Sequence, residues 1–202
     1  MQLYYYPGAC SLAPHIALRE AGLTFELKKV DLHTKQVDGG GDFTKVNSKG
    51  YVPALKLDSG EVLTEAPVIL QYIADQKPDS GLAPKPGTLE RYRVSEWLNF
   101  TSSEIHKSFA PLFNPAAAPE WKAGSTGVLT RRLEWVQSQL EDRTNLVGDR
   151  FTVADVFLFV TLSWSSYVGI ELGKWPALAA YSERIGRRPK VTEALRAEGL
   201  LK

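Results

Sequence analysis

Gln2-Leu3-Tyr4-Tyr5-Tyr6-Pro7-Gly8-Ala9-Cys10-Ser11-Leu12-Ala13-Pro14 is the stretch whose reading decides the fold. A short aromatic run bounded by Pro7-Gly8 predicts a buried strand followed by a turn. A helix is then expected over Ser11–Ala21. Ser11 suits its N-cap, Pro14 falls in the first turn where no N–H is needed, and Gly22 is a good stop. The only cysteine of the chain therefore lies between a strand and the start of a helix. A thiol there meets the positive end of the helix dipole and unpaired N–H groups, which predicts a lowered pKa and a thiolate. The bland alternative is a small buried hydrophobe, the common state of an unpaired cysteine.

Outward from this stretch, Phe25–Leu32 predicts a second strand and Val52–Leu57 a third. Asp58-Ser59-Gly60 turns the third strand into a fourth at Val62–Thr64, with Gly60 supplying positive φ. Val68, Ile69, Tyr72 and Ile73 stripe a helix over Ala66–Asp75. Residues 78–87 (PDSGLAPKPG) hold three prolines and two glycines, the density of a linker. Everything beyond reads helical: Leu89–Phe113, Gly127–Leu140, the strongly apolar Thr152–Val168, Pro176–Gly186 and Pro189–Glu198. The expected organisation is an α/β domain over 1–77, a linker over 78–87 and an all-helical domain over 88–202. Phe151-Thr152-x-x-Asp155-Val156 combines a capping box with a hydrophobic staple, a folding signal rather than a catalytic one.

Bulk properties narrow the function. The chain has 202 residues, 44% apolar and 23% charged, with a net charge of +1. No basic patch dominates, which argues against nucleic acid and anionic membrane as partners. The apolar run near Val153–Trp164 is broken by Asp155 and is too short for a bilayer. No basic stretch followed by an apolar one opens the chain, so no secretory signal is read. One cysteine forms no internal disulfide, which places the expected protein in a reducing compartment, most simply the cytoplasm. No spacing of His, Cys and acids suggests a metal site.

The strand–cysteine–helix order is also how thioredoxin-like proteins hold a redox cysteine. Ala13 stands where their second cysteine would be, so a dithiol cycle within one chain is excluded. The Val52-Pro53 bond, just before a strand, is a candidate cis peptide that would turn the Val52 backbone toward Cys10; an ordinary edge-strand proline is the alternative. Tyr5-x-Pro7-Gly8-Ala9-Cys10-Ser11, Gly50-Tyr51-Val52-Pro53-Ala54-Leu55, Leu63-Thr64-Glu65-x-x-x-Ile69 and Thr152-Val153-Ala154-Asp155 together resemble a bacterial beta-class glutathione S-transferase, over essentially the whole chain. That resemblance implies a thioredoxin-like N-terminal domain, an all-α C-terminal domain, a homodimer and glutathione as cofactor.

The resemblance also implies a site. Lys35 would meet the glycine carboxylate of glutathione, and the Val52 backbone would pair with its cysteinyl part, as an added strand does. Glu65 would accept the γ-glutamyl amine, and the Ala66 N–H would bind the adjoining carboxylate at a helix start. The family usually has Ser after this Glu, so Ala66 loses one hydroxyl contact, a loss of about 0.5–1.5 kcal/mol. Asn99, Ser103 and His106 fall at i, i+4 and i+7 on one helix face. The resemblance puts Asn99 and His106 beside the thiol region, with Ser103 and Lys107 within reach of the cofactor. Glu104 points elsewhere and is a candidate for the partner subunit's site. His106 is the best general-base candidate among the histidines; His33 reads as a solvated loop residue and His15 as structural. Without the resemblance, Lys35 reads as a solvated lysine, Glu65 as a first-turn acid stabilising the dipole, and the polar stripe as a solvated face.

The first expectation is therefore a glutathione transferase in which Cys10 and His106 serve catalysis and Tyr5 and Ser11 are neighbours. The second substrate is a hydrophobic electrophile received near Phe109, Phe113 and Trp164. One alternative is glutathione-dependent disulfide reduction or reductive dehalogenation through a Cys10 mixed disulfide. The alternative from another class is a non-catalytic carrier on the same fold.

Overall fold

The computed structural model describes residues 1–201. Two compact units are present. The first comprises Met1–Ala83 together with the chain from Arg187 onward, and the second is Pro84–Gly186.

The first unit is built on strands β1 (Gln2–Tyr5), β2 (Glu26–Lys29), β3 (Ala54–Lys56) and β4 (Val62–Thr64), with helices α1 (Leu12–Glu20) and α2 (Ala66–Gln76). The sheet order is β2-β1-β3-β4: β2 runs parallel to β1, while β3 and β4 follow antiparallel, with Leu3 opposite both Leu27 and Leu55. β1 is central and covered on both faces, so its apolar run is continuous rather than alternating. Tyr5 packs toward His15 of α1, ring centroids 6.3 Å apart. Tyr4 points the other way into a cluster with Phe43, Val30, Val52 and Ala54 beneath the 30–50 loop. α1 ends as expected: Gly22 takes φ +66°, the Gly22 N–H bonds the Arg19 carbonyl and the Leu23 N–H reaches Leu18. Gly60 turns β3 into β4 with φ +92°.

The second unit contains α3 (Leu89–Phe100), a π-helical segment (Thr101–His106), α4 (Lys107–Phe113), α5 (Pro119–Leu140), α6 (Val153–Ser163), a 3₁₀ turn (Trp164–Val168) and α7 (Pro176–Gly186). α6 is buried from Val153 to Leu162, the central helix its composition predicts. Helix α5 starts eight residues earlier than Gly127, with Pro119 in its first turn. No helix among the described residues is long and apolar enough to cross a membrane.

One element departs from the sequence reading. The last helix, α8 (Pro189–Ala197), packs on α1 in the first unit rather than with the helices that precede it. Its strong amphipathicity shows that it has one buried face but not against what.

Candidate active site

The turn between β1 and α1 is fixed by its own backbone. The Ala9 N–H bonds the Tyr6 carbonyl at 3.1 Å, Leu12 bonds Ala9 at 2.9 Å and Ala13 bonds Cys10 at 3.1 Å. Ser11 Oγ accepts from the Tyr6 N–H and donates to the Tyr6 carbonyl, both at 3.2 Å, and is fully buried. Its hydroxyl is thus committed to the turn. Burial, with Glu198 and Asp38 nearby, raises the Tyr5 pKa. The Cys10 thiol is turned toward Val52, just ahead of β3.

The Cys10 thiol donates to the Val52 carbonyl at 3.5 Å. Its ionisation corrects the expectation of a thiolate. The N–H groups of Cys10 and Ser11 pull the pKa down, but desolvation of the sulfur outweighs them, and Glu65 adds to the rise, pushing it up to about 12. Helix-start geometry is present, and at this half-buried sulfur the loss of hydration outweighs it.

Val52-Pro53 is cis. Around it lie the other first-unit candidates. Asp31 accepts the N–H groups of His33 and Thr34 at 2.8 and 3.0 Å, closing a tight turn in which Lys35 takes φ +60°. Lys35 Nζ then donates to the Gly50 carbonyl at 2.8 Å, with its stem lying over Gly50, where a Cβ would stand 3.6 Å from Lys35 Cε. Asn47 Nδ2 holds the Tyr51 carbonyl at 2.7 Å. Glu65 sits at φ +69°, an uncommon conformation for a non-glycine residue, just before the first residue of α2, Ala66. The Ala66 N–H, at the first helical position, has no intrahelical acceptor. The Glu65 carboxylate pairs with Lys49, and Tyr51 Oη donates to it at 3.4 Å. Lys49 also donates to Thr64 Oγ1 at 3.0 Å. Lys49 and Tyr51 escaped the sequence reading; the signal available was only their place in the run Lys49–Pro53.

In the second unit, the polar residues of the long helix lie on and around the π segment. Its wider turn changes the phase of the helix, so Asn99, Ser103 and His106 do not follow a straight α-helical face. Asn99 and Ser103 are exposed, and Ser103 Oγ donates to the Asn99 carbonyl at 3.0 Å. Glu104 is held by Arg132 of α5, at 2.9 Å from Nε and 2.7 Å from Nη2. The His106 ring meets Trp164 edge-on at 4.9 Å and Phe157 at 6.1 Å. Phe109 and Trp164 are buried and Phe113 is half exposed, so one aromatic face of this cluster opens outward. No His/Cys/Asp/Glu group among the described residues could hold a metal ion.

A family model described as glutathione S-transferase, N-terminal domain, matches residues 8–76, and one described as the C-terminal domain matches residues 119–184. Glutathione S-transferase GstA of Escherichia coli O157:H7 is 46% identical over 200 residues, covering 99% of this chain and 100% of that one. A ternary complex of BphK, a bacterial GST, matches with a TM-score of 0.98 and 57% identity, over 99% of this chain and 100% of that one. A sphingomonad glutathione S-transferase complexed with glutathione matches with a TM-score of 0.97 and 53% identity, over 99% of this chain and 100% of the other.

Proposed function

We propose the following reading from one premise: this chain belongs to the glutathione S-transferase family. It is a glutathione transferase, and glutathione is its co-substrate. We assign the cysteinyl backbone of glutathione to Val52, its γ-glutamyl end to Glu65 and the Ala66 N–H, and its glycine carboxylate to Lys35. Asn99, Ser103, Glu104 and His106 complete the assignment in the second unit.

The observation that carries the mechanism is the Cys10 sulfur set 3.5 Å from the Val52 carbonyl, with burial pushing the thiol pKa up. A thiol in that state is a poor nucleophile and a competent hydrogen-bond donor. In this reading Cys10 donates to the glutathione sulfur and stabilises its thiolate. That thiolate attacks an electrophilic carbon: the S–C bond forms, the bond to the leaving group breaks with its electron pair, and the thiol proton leaves to solvent. The mixed-disulfide route needs Cys10 itself as attacking thiolate, which its raised pKa disfavours. The hydrophobic electrophile, the homodimer, the cytoplasmic location and a role in detoxification belong to the same proposal, supported by the open aromatic face at Phe113 and the near-neutral charge.

Turnover of an activated chloronitrobenzene with glutathione tests it. Wild type should conjugate. Cys10→Ala should lose roughly a hundred- to a thousandfold in kcat, the range for one stabilising donor, without reaching zero. Binding of glutathione with no turnover of any electrophile would instead favour the carrier. A stoichiometric glutathione adduct on Cys10, with turnover abolished in Cys10→Ala, would favour the disulfide route.

A further inference from the structure

The end of the chain holds a buried ionic cluster that the reaction as described does not use. Glu198 is 6% exposed and caps the C-terminus of α8, so its carboxyl group is both buried and placed at the negative end of a helix dipole. Two donors offset this. The Gly8 N–H donates to Oε2 at 2.9 Å, and His15 Nδ1 lies 2.8 Å from Oε1. Arg19 Nε donates to His15 Nε2 at 2.8 Å, which makes Nε2 the acceptor and leaves Nδ1 to donate to Glu198. Arg19 leans in turn on Glu193 at 3.5 Å.

A single helix stop produces this arrangement. Gly199 takes φ +73°, its N–H bonds the Arg196 carbonyl, and the Leu200 N–H returns to Leu195. The turn aims the Glu198 carboxylate inward and brings the Leu200 side chain over Gly8, 3.4 Å from where a Cβ would sit. Gly8 lies two residues before Cys10, and His15 lies on the helix that Cys10 introduces. The chain end therefore grips the Cys10 turn on both sides.

We propose that Glu198 and His15 are positioning residues for Cys10: the end of the chain fixes the Pro7-Gly8 turn, and that turn sets where the sulfur stands. A carboxylate retained at this cost answers to a positional need, because an apolar residue would suffice for packing alone. Only the glutathione readout of the test rests on the proposed function.

The test is alkylation of Cys10 by iodoacetamide at fixed pH in purified protein without glutathione, alongside KM for glutathione and the melting temperature. Glu198→Gln keeps the shape but turns an NH2 toward one of the two donors. It should raise the alkylation rate and KM, each by roughly tenfold, as the sulfur loses its fixed, shielded place. Leu200→Ala, at a partly exposed residue, should move both in the same direction by about two- to threefold. Arg188→Gln breaks the bidentate Arg188–Glu20 pair (2.8 and 2.9 Å), which ties the same segment to the far end of α1. It should lower the melting temperature and leave both other readouts in place. The proposal is overturned if Arg188→Gln moves the alkylation rate as far as Glu198→Gln, or if Glu198→Gln lowers only the melting temperature. Should Glu198→Gln not fold, Leu200→Ala decides alone, and an unchanged alkylation rate overturns the proposal. A changed alkylation rate in a protein that binds no glutathione would instead count against the transferase reading and leave the positioning role standing.

Discussion

At Cys10 two effects compete and the larger is desolvation. The amides of Cys10 and Ser11 favour the thiolate, while burial and Glu65 oppose it, with a result near 12. The consequence for reactivity is a pH profile: the alkylation rate should climb about tenfold per pH unit across the neutral and mildly alkaline range, with no plateau below about pH 12. A plateau near the ordinary thiol value, read by mass spectrometry at timed quenches, would contradict this. The same shift has a sign for stability. The folded state holds this proton more tightly than the unfolded chain, so its contribution is full below the ordinary value of 9 and is lost as pH rises toward about 12. Wild type compared with Cys10→Ser in alkaline denaturation isolates it. Glu65 carries a different prediction. Its pair with Lys49 is half exposed and screened, so Glu65→Gln should scarcely move the melting temperature. Glutathione affinity should fall roughly tenfold, the scale of one charge-assisted hydrogen bond. Calorimetric titration of the variant with glutathione measures it, and unchanged affinity would remove Glu65 from the γ-glutamyl end.

Among the elements, α6 shows how far local sequence reaches. Thr152 and Asp155 were readable as a capping box, and the structure has the Thr152 N–H donating to Asp155 Oδ2 at 2.8 Å. What the motif could not show is that Asp155 also accepts the Leu146 N–H and the Tyr181 hydroxyl, both at 2.9 Å, because those donors come from segments 9 and 26 residues away. The carboxylate is thus the node of a fully buried network rather than a surface cap. Asp155→Ala leaves the Leu146 N–H and the Tyr181 hydroxyl unpaired and should destabilise by about 3–5 kcal/mol, well beyond the roughly 1 kcal/mol of an ordinary lost cap. Urea denaturation of both Asp155→Ala and Thr152→Ala checks the ratio. The π segment at Thr101–His106 was illegible for a related reason. A π turn and an α turn draw on the same residue types, and the register slip that separates them is set by packing of the flanking helices. So the presence of His106 and Ser103 near each other could be read, and the rotation between them could not.

For the whole molecule, sequence order and spatial order part company at α8. The four strands, the α1 stop at Gly22 and the hairpin at Gly60 follow from nearest-neighbour chemistry, and all were legible. The division of the chain into units was not, because amphipathicity tells that α8 has a buried face without naming its partner. That partner is α1, and the sheet unit is therefore discontinuous in sequence. His15 and its hydrogen bond to Glu198 lie at zero side-chain exposure, and Arg188 reaches Glu20 with two bonds. A chain ended after Gly186 would keep every strand and every helix through α7. It would also leave His15 without its acceptor and uncover the side of α1 on which α8 packs. Leaving a buried donor without its acceptor costs about 1–3 kcal/mol, and the lost apolar burial adds to it. Their sum rivals the roughly 5–15 kcal/mol that holds a whole domain together. The truncated chain should therefore lose the cooperative unfolding of its sheet unit, seen as a sloping far-ultraviolet melt and rapid proteolysis within 1–83, while the helical unit 84–186 keeps its own transition. A truncated chain that melts as sharply as the full one would mean that the first unit is held by its contiguous residues alone.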